Sequence, residues 1–390
     1  MTVAYPFNEP GSLELHEAYY EAQKTPGMLR VRMPHGEPAW LATRYEDVRF
    51  VLGDRRFSRA MAATHDEPRM QAGRVDSGIL LMDPPDHTRL RTLVAKAFTV
   101  RRVEELRPRA REIATDLVKD MVAAGPPVDL VDMFALSLPV AVICELLGVP
   151  VEDRPKFRVW SDNVLSTSRL TAEQFVASRN ELRDYMHGLI EDHRAAPRDD
   201  LISALIEARD ERDRLSELEL VDLCNGILVA GHETTASQIP NFLVTLFEHP
   251  ESMAKLRSDP SLIPGAVEEL MRFVPLGVVG GFARYATEDV LVGDVLVREG
   301  EPVMVSVGAA NRDAERFSAP TTLRVDEPPD QHMGFGHGVH HCLGAALARM
   351  ELQEALRVLL TELPNLHMAG DIVWKTELLV RGPLRMPVGW

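Results

Sequence analysis

Helical periodicities separated by short alternating runs make up most of the chain. Near the N-terminus LRVRM, PHGEP and AWLAT read as strand, turn and strand, and YEDVRFVLG as a helix. Residues 59–82 show no period and read as irregular. After DPPDH, apolar positions recur at helical spacing in RLRTLVAKAFT, in VEELRPRAREIATDLVKDMVAAG and around LPVAVICELLGV. HGLIEDHRAAPRDDLISALIEARDERDRLSELEL is charged and helical, with an exposed turn at Ala195–Asp200. VDLCNGILVAGHETTASQIPNFLVTLFEHP is long and apolar, with a polar island, AGHETTAS, in its middle. Pro240 in this segment lacks a backbone N–H and crowds the preceding turn, which predicts a kink or local opening just beyond Thr235. Short strands are predicted near 282–306 and 373–388. The pattern is that of a mainly α protein with small β-sheets. Pro and Gly are spread along the chain without a linker or repeat, so one domain over 1–390 is expected.

Composition narrows the classes. At 45% hydrophobic and 26% charged residues the chain reads as soluble and globular. No basic stretch followed by an apolar core opens it, and no apolar run reaches about 18 residues. A cytoplasmic protein without a membrane anchor is expected. A net charge of −16 disfavours nucleic acid as a partner and favours solubility. Cys144, Cys224 and Cys342 are odd in number and far apart, so a disulfide framework is not expected.

The chemistry concentrates in GFGHGVHHCLGAALARMELQEAL, residues 334–356. A structural zinc site needs four ligands, and no second Cys/His pair lies near His340, His341 and Cys342. The glycine spacing fails the dinucleotide-loop pattern. A buried cysteine in a glycine-rich turn is the plain alternative. Cys342, however, stands at the start of a helix, whose N–H groups and dipole lower a thiol's pKa. Such a thiolate can be the single protein ligand of haem iron.

The pattern F-G-x-G-x-H-x-C-x-G, carried by Phe335, Gly336, Gly338, His340, Cys342 and Gly344, resembles the haem-binding loop of cytochrome P-450 monooxygenases. AGHETTAS resembles the family's oxygen-activating helix, and the match implies Glu233 as its acid and Thr234 as its alcohol. EELMR supplies the family's Glu-x-x-Arg pair as Glu269 and Arg272. Where the family usually places a further arginine, this chain has Glu327. Either Arg324 reaches the pair by a shifted register or the network differs. DPPDHTRLR, FARYATEDV and the cysteine loop supply His87, Arg91, Arg284 and His340, which the resemblance places at the haem propionates. The likeness spans nearly the whole chain.

The resemblance implies a single triangular haem domain holding haem b through Cys342, with O2 activated on the opposite face and protons arriving through Thr234 and Glu233. One oxygen atom would enter a bulky apolar substrate, by hydroxylation or epoxidation. Expected pocket walls are the 60–82 loop, residues around 164–180, Ile227, Ala230, Gly231, Val274–Phe282 and Leu378–Val380. The flavour resembles actinobacterial enzymes that tailor macrolide polyketides in antibiotic biosynthesis. Terpenoids and xenobiotics remain alternatives, as do a peroxide-driven oxygenase and a haem-thiolate protein that binds without oxygenating. The chain carries no reductase-sized segment, so a separate ferredoxin and its reductase are expected, docking at Arg101, Arg102 and Arg349.

Overall fold

The computed structural model describes all residues except 1, 9–10, 26, 71–77, 96, 154, 157–158, 161–162, 164–170, 211–214, 278, 280, 328, 330 and 377–378, together with the side chains of 151, 172 and 175. Its longer helices are α1 (Glu17–Lys24), α2 (Tyr45–Gly53), α3 (Asp86–Ala95), α4 (Val100–Ala124), α5 (Ser137–Leu147), α6 (Ala172–Ala195), α7 (Leu201–Asp210), α8 (Glu217–Glu248), α9 (Pro250–Ser258), α10 (Ile263–Phe273) and α11 (Ala345–Glu362). The expectation of a mainly α fold with small sheets holds. None of the helices among the described residues is long and apolar enough to cross a membrane.

The central helix is α8. Ser216 starts it with a capping box: its hydroxyl accepts from the Glu219 N–H, while the Glu219 carboxylate reaches back to the Ser216 N–H. Most side chains from Leu220 to Leu246 are buried, because α5, α6 and α11 pack around the helix. The opening expected beyond Thr235 is absent, since the helix runs unbroken through Pro240. One lost backbone bond is absorbed where residues 235–246 are packed on all sides.

The main sheet joins β1 (Thr2–Ala4), β2 (Leu29–Arg32), β3 (Ala39–Ala42), β4 (Phe57–Ser58), β6 (Arg284–Ala286) and β9 (Pro302–Val305) in the order β1-β2-β3-β9-β6-β4. Its register matters for the site. Phe57 pairs with Ala286 and Arg284 with Val303, so Arg59, just beyond β4, and Arg284 are both carried inward. A two-stranded ribbon, Val373–Trp374 against Pro383–Arg385, lies beside the middle of α8.

The Glu269–Arg272 pair locks this frame from inside. Arg272 donates to both Glu269 oxygens at 2.7 and 2.6 Å, and both side chains are buried. Its remaining N–H groups reach the carbonyls of Asn311, Pro320 and Thr322. The network therefore differs from a side-chain triad. Arg324 contributes only its main-chain N–H to Glu269, at 3.0 Å, while its guanidinium turns to Glu327 at 2.9 Å and to the Ser318 carbonyl. Glu327, where arginine was expected, is thus the partner of Arg324 and not a member of the lock. Arg272→Ala should cost about 3–5 kcal/mol, because it strands a buried carboxylate. Arg324→Ala should cost less than about 1 kcal/mol, because it removes a surface pair. Denaturant titration of both variants checks this, and equal losses would contradict the assignment.

Candidate active site

The cysteine loop runs from Met333 to Gly344 and delivers Cys342 just ahead of α11. The Cys342 N–H donates to the Phe335 carbonyl at 2.8 Å and closes the loop. Gly338 has φ +72°, and a Cβ there would lie 2.2 Å from the Leu52 carbonyl oxygen, so no other residue fits. The Cys342 side chain is open to solvent, and the protein atoms crowded around its sulfur still push the thiol up, against the pull of the Gly344 N–H and of the Arg91 and Arg349 guanidiniums. The lowered thiol pKa expected from a helix start is therefore not realised by the protein alone. The physical reason is position: Gly344 caps α11 at Ala345, so Cys342 stands outside the cap and only one N–H reaches it.

Four of the sequence-selected residues, two histidines and two arginines, meet beside this loop. The His87 and His340 rings lie 4.3 Å apart. Arg91 donates to the His341 carbonyl. Burial pushes His340 down to about 3, helped by His87, Arg284 and Arg59. Arg284 is pushed down to about 10 by burial and by Arg59. Its one protein partner among the hydrogen bonds is the Phe282 carbonyl at 3.2 Å. A cleft of about 630 Å³ adjoins this corner, lined among others by His87, Arg91, Thr99 and Val339.

Sequence reasoning missed a fifth residue, Arg59. It is 1% exposed, pairs with Glu67 at 2.6 Å, donates to the carbonyls of Leu80 and Ala283, and stacks 4.9 Å from the Phe282 ring. One of its terminal nitrogens and His340 Nε2 are buried without a partner. A second acid at this corner, Asp83, is already engaged by the Arg59 and Ala60 N–H groups and the Ser58 hydroxyl. A buried corner with surplus positive charge and unused donors calls for an anionic carboxylate ligand. A soft sulfur ligand beside such a corner fits haem, whose propionates His87, Arg91, Arg284 and His340, with Arg59 behind them, would hold.

Glu233 and Thr234 are not joined. Neighbouring helix residues point about 100° apart. Glu233 is fully buried and faces the 373–385 ribbon, where Lys375 and the Ser237 hydroxyl hold it. Thr234 faces the other way, donating to the Ala230 carbonyl at 2.8 Å. Gly226, Ala230 and Thr234 form an accessible lane on α8, ahead of the fully buried stretch 235–246. Of the expected pocket walls, Ala230 lies on this lane. Ile227 instead packs into the main core, and Gly231 makes room for Ile143, 2.9 Å from where its Cβ would be. The 78–81 turn packs against α8, and Leu80 and Phe282, 43% and 39% exposed, are the large apolar side chains left open there. Gly280, Leu378 and residues 164–170 lie outside the described residues.

Arg349, expected as a docking cation, is spent. Glu268 takes it at 2.7 and 2.9 Å and also takes His332 at 2.9 Å, while its guanidinium stacks 4.3 Å from the Phe335 ring. This arrangement stiffens the underside of the cysteine loop. Burial opposes the Glu268 charge, but His332 and Arg349 outweigh it and hold the carboxyl at about 2, below its ordinary 4.5. A depressed carboxyl stabilises the fold above its unfolded pKa and loses that contribution as pH falls through the folded one. The melting-temperature gap between the wild type and Glu268→Gln should therefore shrink between pH 4.5 and about 2. A gap that stays constant over this window would show that the charge is not its source.

Comparison with known proteins agrees with this geometry. The family model described as "Cytochrome P450" matches residues 6–365. Mycinamicin IV hydroxylase/epoxidase of Micromonospora griseorubida is 55% identical, with 99% of this chain and 98% of that protein covered. Nocardicin C N-oxygenase of Nocardia uniformis subsp. tsuyamanensis is 50% identical, with 100% and 99% covered. The crystal structure of HinD with NMFT and NO superposes with a TM-score of 0.96 at 48% identity over 100% of both chains.

Proposed function

The chain belongs to the cytochrome P450 family, and on that premise we propose that it inserts one atom of O2 into a macrolide or another bulky, mainly apolar polyketide, by hydroxylation or epoxidation. The observations that carry the substrate class are the accessible lane of Gly226, Ala230 and Thr234 and the open apolar side chains of Leu80, on the turn packed against α8, and of Phe282. Small residues on α8 leave width for a large ligand, and the apolar walls favour one with few charges. The relative at 55% identity is named for hydroxylation and epoxidation of mycinamicin IV, which supports the same class here.

Bound haem b supplies the oxygen-activating chemistry. The protein's share is positional. Cys342 gives the thiolate ligand, with Arg91 and Arg349 offsetting its charge. His87, Arg91, Arg284 and His340 would hold its carboxylates, and Arg59 fixes Leu80, Ala283 and Phe282 beside them. Thr234 holds a hydroxyl proton at the open face, and Glu233 is the only carboxylate on α8 at that level.

Electrons are proposed to come from a separate ferredoxin and its reductase. Arg101 and Arg102 open α4 with side chains 89% and 45% exposed, next to the exposed Val100 and within reach of the cleft that ends at Val339. An acidic partner with an apolar patch fits this surface.

The test is turnover of a macrolide panel with a surrogate ferredoxin, reductase and labelled dioxygen. The expected result is product carrying one labelled atom, and slower ferredoxin-supported turnover in Arg101→Glu/Arg102→Glu. Absence of both product and spectral binding across the panel would remove polyketides as the substrate class. Unchanged turnover in the charge-reversed protein would move the docking face elsewhere.

A further inference from the structure

The ribbon beside α8 sends one cation into the interior. Lys375 follows β11 (Val373–Trp374), and its N–H donates to the Gly382 carbonyl at 2.9 Å across the ribbon. Its neighbour Thr376 is exposed, yet the Lys375 side chain is only 3% exposed. The ammonium contacts Glu233 Oε1 and donates to the Ser237 hydroxyl at 2.9 Å, and that hydroxyl donates to the same Glu233 oxygen at 3.2 Å. The approach is close by construction. Gly382, at φ +147°, lies where a Cβ would come within 2.8 Å of Asn241 Oδ1 and 3.4 Å of the Ser237 carbonyl. The Asn241 amide then ties α8 to the Arg381 carbonyl at 3.1 Å.

Both contacts fall on one oxygen of Glu233. The other, Oε2, is buried and without a hydrogen-bond partner among the described residues. A buried carboxylate with half its acceptor capacity unused is costly, and the adjacent cation is what makes the charge tolerable. On the same helix Thr234 points away, and no hydrogen bond joins it to Glu233. The acid assigned to proton supply is thus held by its back oxygen and offers its front oxygen to no group among the described residues.

We propose that Lys375 is a positioning residue for the oxygenase reaction: as the ion-pair partner of Glu233 Oε1 it fixes the acid's rotamer, so that Oε2 alone is left unengaged. The proposal rests on the monooxygenase reading above. Removing the cation leaves a buried carboxyl that neutralises by taking up a proton and is free to turn, because only the Ser237 hydroxyl still holds it.

Two measurements on Lys375→Met test this. Infrared spectroscopy of the resting protein, with or without haem, reads the protonation of buried carboxyls. A new protonated-acid band is expected in Lys375→Met and not in the wild type, and it should vanish in Lys375→Met/Glu233→Gln. In turnover, product formed per O2 consumed should fall about tenfold in Lys375→Met, with released peroxide making up the difference. Lys375→Arg restores a cation in place and should recover most of the coupling without the acid band. If the methionine variant does not fold, Lys375→Gln replaces it, with the same acid band and the same loss of coupling expected. Wild-type coupling in Lys375→Met would overturn the proposal while leaving the monooxygenase reading intact. Loss of coupling in both variants without any acid band would also overturn it, by showing a packing role alone. A wild type that forms no oxygenated product would instead be a failure of the underlying reading.

Discussion

Everything in the site depends on how one sulfur is presented. Cys342 is held by its own N–H on the Phe335 carbonyl, on a loop that passes so close to α2 that only glycine fits at 338. Atoms crowded around the sulfur work against the charged thiolate there. The protein answers with two arginines. Arg91 comes from α3, and Arg349, on α11, is pinned between the Phe335 ring and the Glu268 carboxylate. A metal ion would complete what these cations begin, because a bound cation favours the deprotonated sulfur far more than a helix end does. The loop is therefore a ligand site whose chemistry is finished by its ligand.

The same logic orders the other side. Helix α8 separates two environments within one stretch of backbone. One face carries Glu233, Ser237 and Asn241, buried and bonded to the C-terminal ribbon. The other carries Gly226, Ala230 and Thr234 and stays open. A long helix packed on three sides holds these two faces in fixed relation. The side chains of His87, Arg91, Arg284 and His340 form the third wall, brought together by α3, the main sheet and the loop.

Much of this was legible in the chain because it is local. The helices and strands announce themselves through periodicity, and the loop, the Glu-x-x-Arg pair and the polar island each lie within a few residues. What was not legible is what pairs across sequence. Lys375 meets Glu233 at a separation of 142 residues, and Arg59 meets Ala283 at 224. Lys375 falls in the strand predicted near 373–388, and Arg59 opens the irregular stretch 59–82. Nothing nearby shows that their cations turn inward. Arg349 illustrates the reverse error: a helix arginine looks free until Glu268, 81 residues away, is seen to hold it. The helix opening expected beyond Thr235 and the lowered thiol pKa expected at Cys342 fail for a different reason. Helix-breaking and dipole arguments apply to isolated helices, whereas here packing restrains the first and cap position weakens the second.

The central claim is that Cys342 ligates haem iron as a thiolate. The most direct measurement is the carbon monoxide difference spectrum of the purified, reduced protein, with Cys342→Ser beside it. The strongly red-shifted band of thiolate-ligated haem in the wild type, lost in the serine variant, is the predicted result. A band at the shorter wavelength of histidine-ligated haem in freshly prepared wild type, unchanged by Cys342→Ser, would contradict it and give the iron to one of the neighbouring histidines.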